Sequence, residues 1–152
     1  MPINLYPLIE GKLYQSGIPG EMVAFFDRFK PDAVIDCTHD VPFFGLLSPV
    51  FLKIPFDDKP LPTGQEGAAL IMRLSMIARF AALMIRSGQV FLVHCNAGEN
   101  RSSLLDGLIL LELRAMGVLT FKSVVDYIRN VRPGALQNQS FVTYLNGQCG
   151  LT

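Results

Sequence analysis

The sequence predicts an α/β domain with a central, mostly parallel sheet flanked by helices. It also places a phosphate-binding type of loop between one strand and the helix that follows. Three observations carry this. Short apolar runs at Ala33 to Cys37, Val50 to Pro55 and Gln89 to Val93 alternate with longer segments of helical period. The run ending at Val93 passes through a polar, glycine-containing loop straight into a helix-like segment. The chain has 152 residues, half of them hydrophobic and 17% charged, enough for one buried core and one domain spanning residues 1–152.

Taken in order, Lys12 to Gln15 reads as a short strand after a turn at Glu10-Gly11. Glu21 to Lys30 reads as a helix with Met22, Phe25, Phe26 and Phe29 on its apolar side and Pro31 as its stop. The strand from Ala33 to Cys37 leads into a loop, Thr38 to Pro49, broken by Pro42, Gly45 and Pro49. After the strand from Val50 to Pro55, Asp57 to Gly64 forms a second loop rich in Pro and Asp. The long helix Gln65 to Ser87 carries a stripe of Leu70, Leu74, Ile77, Ala81 and Met84, with Arg79 and Arg86 opposite, and Gly88 closes it. Arg101 to Met116 is a mostly buried helix ended by Gly117. Thr120 is placed to cap the next helix, with Phe121, Val124, Val125 and Ile128 as its stripe and Pro133 beyond its end. Asn138 caps a last short helix through Leu145, closed by Gly147.

The bulk numbers narrow the function classes. Net charge is zero, which gives no reason to expect a nucleic-acid or membrane partner. Ala68 to Ile85 is strongly apolar but carries Arg73 and Arg79, which argues against a membrane span. The opening Met1-Pro2-Ile3-Asn4-Leu5 lacks the basic-then-apolar pattern of an export signal. Three cysteines without ligand spacing argue against a disulfide framework or a zinc site. The expectation is a cytoplasmic monomer without metal or cofactor.

The chemistry concentrates at His94-Cys95-Asn96-Ala97-Gly98-Glu99-Asn100-Arg101-Ser102. A strand that breaks into a tight loop and opens a helix turns backbone amides toward one point, and the helix N-terminus adds partial positive charge. A cysteine at the base of such a cradle is favoured as thiolate. Arg101 offers a planar fork for two oxygens of a phosphate. A thiolate and an oxyanion cradle together serve phosphoryl transfer through a phosphocysteine.

This His-Cys-x5-Arg-Ser string resembles the signature of the cysteine-dependent protein tyrosine phosphatases, and the short chain is most similar to their dual-specificity branch. Lys12 to Gly17 is similar to that branch's opening strand, and Val131-Arg132-Pro133 with Asn138 and Phe141 resembles the segment that packs beneath its phosphate loop. The resemblance implies Cys95 as nucleophile, Arg101 as stabiliser of the equatorial oxygens, and Ser102 as donor to the Cys95 sulfur. Asn96, Ala97, Gly98, Glu99 and Asn100 then line the substrate site. Gly98 supplies a positive φ, and His94 and Asn138 act as supports. The general acid follows the strand ending near Ile54. Counting onward selects Asp58, 37 residues before Cys95, with Asp57 as the alternative. Gln137 and Gln139 are expected on the surface, as is His39. Cys149 is expected to be incidental.

Cys37 ends a strand expected beside the one ending at Cys95. Lipid-directed members of the superfamily carry a cysteine at a similar place, which makes Cys37 a candidate redox partner. The absence of the tyrosine-recognition insert implies a shallow pocket for phosphotyrosine, phosphoserine and phosphothreonine in proteins. Glu99 and the lack of lysine in the loop lean away from highly anionic substrates such as inositol phosphates or lipids. Asn100 resembles a feature of RNA 5′-phosphatases, without the basic cluster such a substrate wants. A catalytically silent phosphopeptide-binding module is the other reading. The apolar loop Val41 to Leu47 either packs on the core or rims the pocket.

Overall fold

The computed structural model describes residues 4–18, 22–39 and 49–151, leaving aside the side chains of Met22, Val23 and Phe25. The expectations placed on Glu21 and on the loop Val41 to Leu47 lie outside these residues. Five strands form one sheet: β1 (Leu5–Ile9), β2 (Leu13–Ser16), β3 (Ala33–Asp36), β4 (Val50–Lys53) and β5 (Phe91–His94). Their order is β1-β2-β5-β3-β4, parallel throughout except for the antiparallel β1–β2 pair. The helices are α1 (Met22–Arg28), α2 (Gly64–Arg86), α3 (Arg101–Ala115), α4 (Val124–Val131) and α5 (Gln139–Gln148).

β5 is central and buried at every residue, as a parallel strand covered on both faces must be. One face packs on α2 to α5 in the large core. The other carries Phe26, Val34 and Leu92 in a smaller cluster under α1. The register aligns Ser16, His94 and Asp36 across β2, β5 and β3, so three strands end together on one edge. That edge carries the site, as the carboxyl ends of parallel strands do in open α/β sheets.

Four expectations need correction. β1 was not anticipated because Pro7 breaks its pattern. It is an edge strand with a register shift between Pro7 and Ile9, where the missing N–H costs no ladder bond. Thr120 does not cap α4. Ser123 does, accepting a bond from Asp126 N at 3.1 Å, so Phe121 precedes the helix. Gly147 lies inside α5, which runs on to Gln148. On α2 the buried positions are Gly67, Leu70, Leu74, Ala78, Ala81, Ala82 and Ile85. Ile77 and Met84 are only half-buried, flanking the stripe rather than centring it.

Candidate active site

The signature loop runs from the end of β5 to the start of α3, and its peptide planes are oriented from outside. The Asn96 carbonyl accepts from Ile18 N at 3.1 Å, and the Glu99 carbonyl from Leu136 N at 2.8 Å. The Ala97 carbonyl accepts from Arg132 Nη2 at 2.9 Å and from Asn4 Nδ2 at 3.3 Å. A trans peptide points its N–H opposite its C=O, so the amides of Ala97, Gly98 and Asn100 turn to the inner side. Gly98 has φ +67, and a Cβ there would lie 2.6 Å from Gly17 N and from the Ser16 carbonyl carbon. Both the positive φ and the backbone contact require glycine.

Cys95 sits at the base of the loop, 2% exposed, with Ser102 Oγ 3.3 Å from its Sγ. Cys95 directly follows β5, and Ser102 lies in the first turn of α3. Arg101, on the first turn of α3, donates from Nη1 to the Phe56 carbonyl at 3.3 Å. Its other guanidinium donors take no partner among the described residues. His94 is buried beneath the loop, its Nε2 3.7 Å from Asp36 Oδ1. Burial holds the His94 imidazole below its ordinary value, against the opposing pull of the Asp36 carboxylate. The buried ring faces Asp36.

The two aspartates of the following loop face different ways. Asp58 accepts from Asn100 Nδ2 at 2.9 Å and from Asn138 Nδ2 at 3.1 Å, which docks the aspartate loop on the signature loop. Asp57 instead pairs with His39 at 3.0 Å and Lys59 at 3.5 Å. These neighbours, Lys59 foremost, hold its carboxyl below the ordinary range. Asp57 borders a groove of about 450 Å³ between the aspartate loop and α2, lined also by Phe56, Glu66 and Arg73 and apart from Cys95. Gly67 lets this loop close on α2: a Cβ there would fall 1.8 Å from the Pro62 carbonyl oxygen.

Asn138 is a wider brace than the sequence indicates. Besides Asp58, its Nδ2 donates to the Lys59 carbonyl at 3.0 Å and its N–H to Asn100 Oδ1 at 2.9 Å. Its own Oδ1 caps α5 through Ser140 N and Phe141 N. Asn100 is thus held between Asp58 and Asn138, so its side chain is turned to the loops rather than to the centre of the cradle. Glu99 lies 3.6 Å from Arg132, which offsets its charge at the loop rim. Leu136, whose N–H holds Glu99, has φ +61, a strained conformation for a branched side chain. Gln137 and Gln139 are exposed, as is His39, while Cys149 is half-buried near Arg114.

Sequence reasoning missed the polar layer behind the cysteine. Gln15 on β2 donates from Nε2 to Ser103 Oγ at 2.5 Å and to Asp106 Oδ2 at 3.1 Å, all three fully buried. Asp36 accepts from Thr38 and from Lys53 Nζ at 2.9 Å. Within α3 the only signal was a carboxylate in a leucine run, Leu104-Leu105-Asp106. Burial pushes the Asp106 carboxyl well above its usual range, against the Gln15 hydrogen bond. The folded chain therefore keeps a proton that the unfolded chain loses above about pH 4. Stability then falls as pH rises above that point, by up to about 1.4 kcal/mol per pH unit from this group. Asp106→Asn, which keeps a donor without a titrating proton, is expected to flatten that slope and to gain on wild type as pH rises. Denaturant unfolding of both proteins at pH 5, 6 and 7 measures it. A difference independent of pH would mean Asp106 is ionised in the fold.

Three comparisons bear on this geometry. A family model described as "Dual specificity phosphatase, catalytic domain" matches residues 13–148. Among solved structures, the active form of Tk-PTP is similar at 22% identity, covering 99% of both chains with a TM-score of 0.74. Human DUSP28 is similar at 18% identity, covering 99% of this chain and 95% of that one, TM-score 0.74. A mouse putative dual specificity phosphatase complexed with zinc tungstate is similar at 18% identity, covering 99% and 89%, TM-score 0.76. No curated protein sequence matches the chain.

Proposed function

Because the chain belongs to the dual-specificity phosphatase catalytic-domain family, we propose that it hydrolyses phosphotyrosine and phosphoserine or phosphothreonine esters of proteins through a phosphocysteine. The observation that carries this reading is the signature loop after Cys95, whose Asn96, Ala97 and Glu99 carbonyls are bonded outward so that the amides behind them face the other way, with Ser102 Oγ 3.3 Å from the Cys95 sulfur. In the first step the Cys95 thiolate attacks phosphorus in line, the ester P–O bond breaks, and Asp58 gives its proton to the leaving oxygen. The loop amides and the Arg101 guanidinium hold the three equatorial oxygens as charge redistributes. In the second step water attacks the phosphocysteine, Asp58 takes a proton from it, and Cys95 leaves as a thiolate that the Ser102 hydroxyl solvates. Inorganic phosphate departs. Only side chains and backbone amides take part, so no metal enters the scheme.

The test is hydrolysis of an aryl phosphate and of phosphotyrosyl and phosphothreonyl peptides, in reductant and chelator. Turnover of both peptide classes is expected. Peptide binding without turnover would make the site a phosphopeptide reader. Turnover confined to inositol phosphates or an RNA 5′-phosphate would reassign the substrate.

The same reading includes Cys37. Its N–H donates to the His94 carbonyl at 2.9 Å, which makes Cys37 and Cys95 the next cross-strand pair after Asp36 and His94. Adjacent strands lie about 5 Å apart, within the Cα separation a disulfide spans. Burial above all, and then the nearby Cys95, raise the Cys37 thiol well above its ordinary value, so it rests protonated and its proton leaves with the water when it attacks an oxidised Cys95. Hydrogen peroxide would oxidise the Cys95 thiolate to a sulfenic acid, and Cys37 would displace water from it to form the disulfide. Peroxide inactivation that dithiothreitol reverses in wild type, but not in Cys37→Ala, is the expected result. Equal recovery in both would leave Cys37 a packing residue.

A further inference from the structure

α2 has two apolar faces. One packs into the core. The other leaves Met72 60%, Met76 66%, Phe80 40% and Leu83 42% exposed, four of the seven large hydrophobic side chains exposed among the described residues. α2 is long and apolar enough to cross a membrane by length and composition, yet only 28% of its most apolar stretch is buried in the fold. With about 100° of turn per residue, these four side chains form one stripe opposite the buried one, with Phe80 at its margin, where its half-covered ring also meets the buried Phe91 at 6.3 Å between centroids. Arg79 and Arg86 border one side of the stripe and Arg73 the other. All three are exposed, and none has an ion-pair partner among the described residues. After Glu66 the helix carries no acidic residue.

We propose that α2 is an interfacial helix that docks the protein on an anionic lipid bilayer, Met72, Met76, Phe80 and Leu83 entering the headgroup layer while Arg73, Arg79 and Arg86 bind lipid phosphates. The arginines argue for an anionic occupant and against a second copy, since antiparallel pairing of two such stripes sets Arg79 against Arg79. Area argues the same way. Taking roughly 200 Å² for a fully exposed large side chain, the stripe offers about 400 Å², half of what each partner contributes to a stable protein–protein interface. A bilayer needs only a convex apolar ridge flanked by cations, and the flexible methionines suit a fluid surface. Zero net charge and the exclusion of a membrane span, from which no membrane partner was expected, do not bear on a helix lying flat in the interface. The proposal stands independently of the phosphatase chemistry.

The test is co-sedimentation of the full chain with vesicles of 30% phosphatidylserine in phosphatidylcholine (about that fraction) and with pure phosphatidylcholine vesicles, at about 0.1 M salt. Binding to the anionic vesicles alone is expected. Arg73→Gln/Arg79→Gln/Arg86→Gln should weaken it about a hundredfold, from about fivefold per arginine. Met72→Gln/Met76→Gln should weaken it at least tenfold with an unchanged melting curve. The proposal fails if wild type stays in the supernatant, if neutral vesicles bind it equally, or if the methionine variant binds as wild type does. A dimer in light scattering that Met72→Gln/Met76→Gln dissolves would assign the face to a second copy.

Discussion

Cys95→Ser is expected to lower turnover of an aryl phosphate by on the order of 10⁴-fold or more while the fold and anion binding persist. A serine hydroxyl needs a base to become a nucleophile, and among the described residues the side chain hydrogen-bonded to the Cys95 sulfur is Ser102. Ser102, 3.3 Å from the sulfur, is another hydroxyl. His94 lies on the far side of the backbone, buried and turned to Asp36. The cradle itself does not depend on sulfur. Its carbonyls are held by Ile18, Arg132 and Leu136, through hydrogen bonds that do not involve the sulfur. The variant should therefore bind inorganic phosphate by calorimetry with an affinity within a few-fold of wild type. Residual turnover above about 1% would exclude a phosphocysteine.

Asp58→Asn carries the second large effect. Loss of a positioned acid typically costs 10²–10⁴-fold, so a reduction of about 10³-fold is expected for phenyl phosphate. The loss should shrink to less than about tenfold for a nitrophenyl ester, whose leaving group needs no proton. Asp57→Asn is expected to change kcat less than threefold, because Asp57 is engaged with His39 and Lys59 beside α2. Steady-state rates across a series of aryl leaving groups decide it. Equal losses in the two variants, or a loss that ignores the leaving group, would remove Asp58 from the reaction.

The order of elements was legible wherever one periodicity dominated. The strands Ala33–Asp36 and Phe91–His94 are buried at every residue, and the apolar runs that overlap them read as strands. The Cys95-to-Arg101 spacing is local, so the proposed nucleophile and its arginine were visible together. That Asp58 rather than Asp57 faces the signature loop was less visible, because it rests on Asn100 and Asn138 reaching Asp58 across 42 and 80 residues. The Gln15–Asp106 contact spans 91 residues and has no signature in the chain. α2 misled by a different route. Its apolar residues go all the way round, so periodicity set the centre of its buried face slightly off, at Ile77 and Met84. Burial in the fold separates the two faces.

The amide–carboxylate latch at Asp58 has a consequence for aim. Asn100 and Asn138 grip both of its oxygens, and Arg101 holds the neighbouring Phe56 carbonyl. The carboxyl proposed to give and take the proton is thereby tied to the loop that follows Cys95, so proposed acid and nucleophile keep their spacing when either loop shifts.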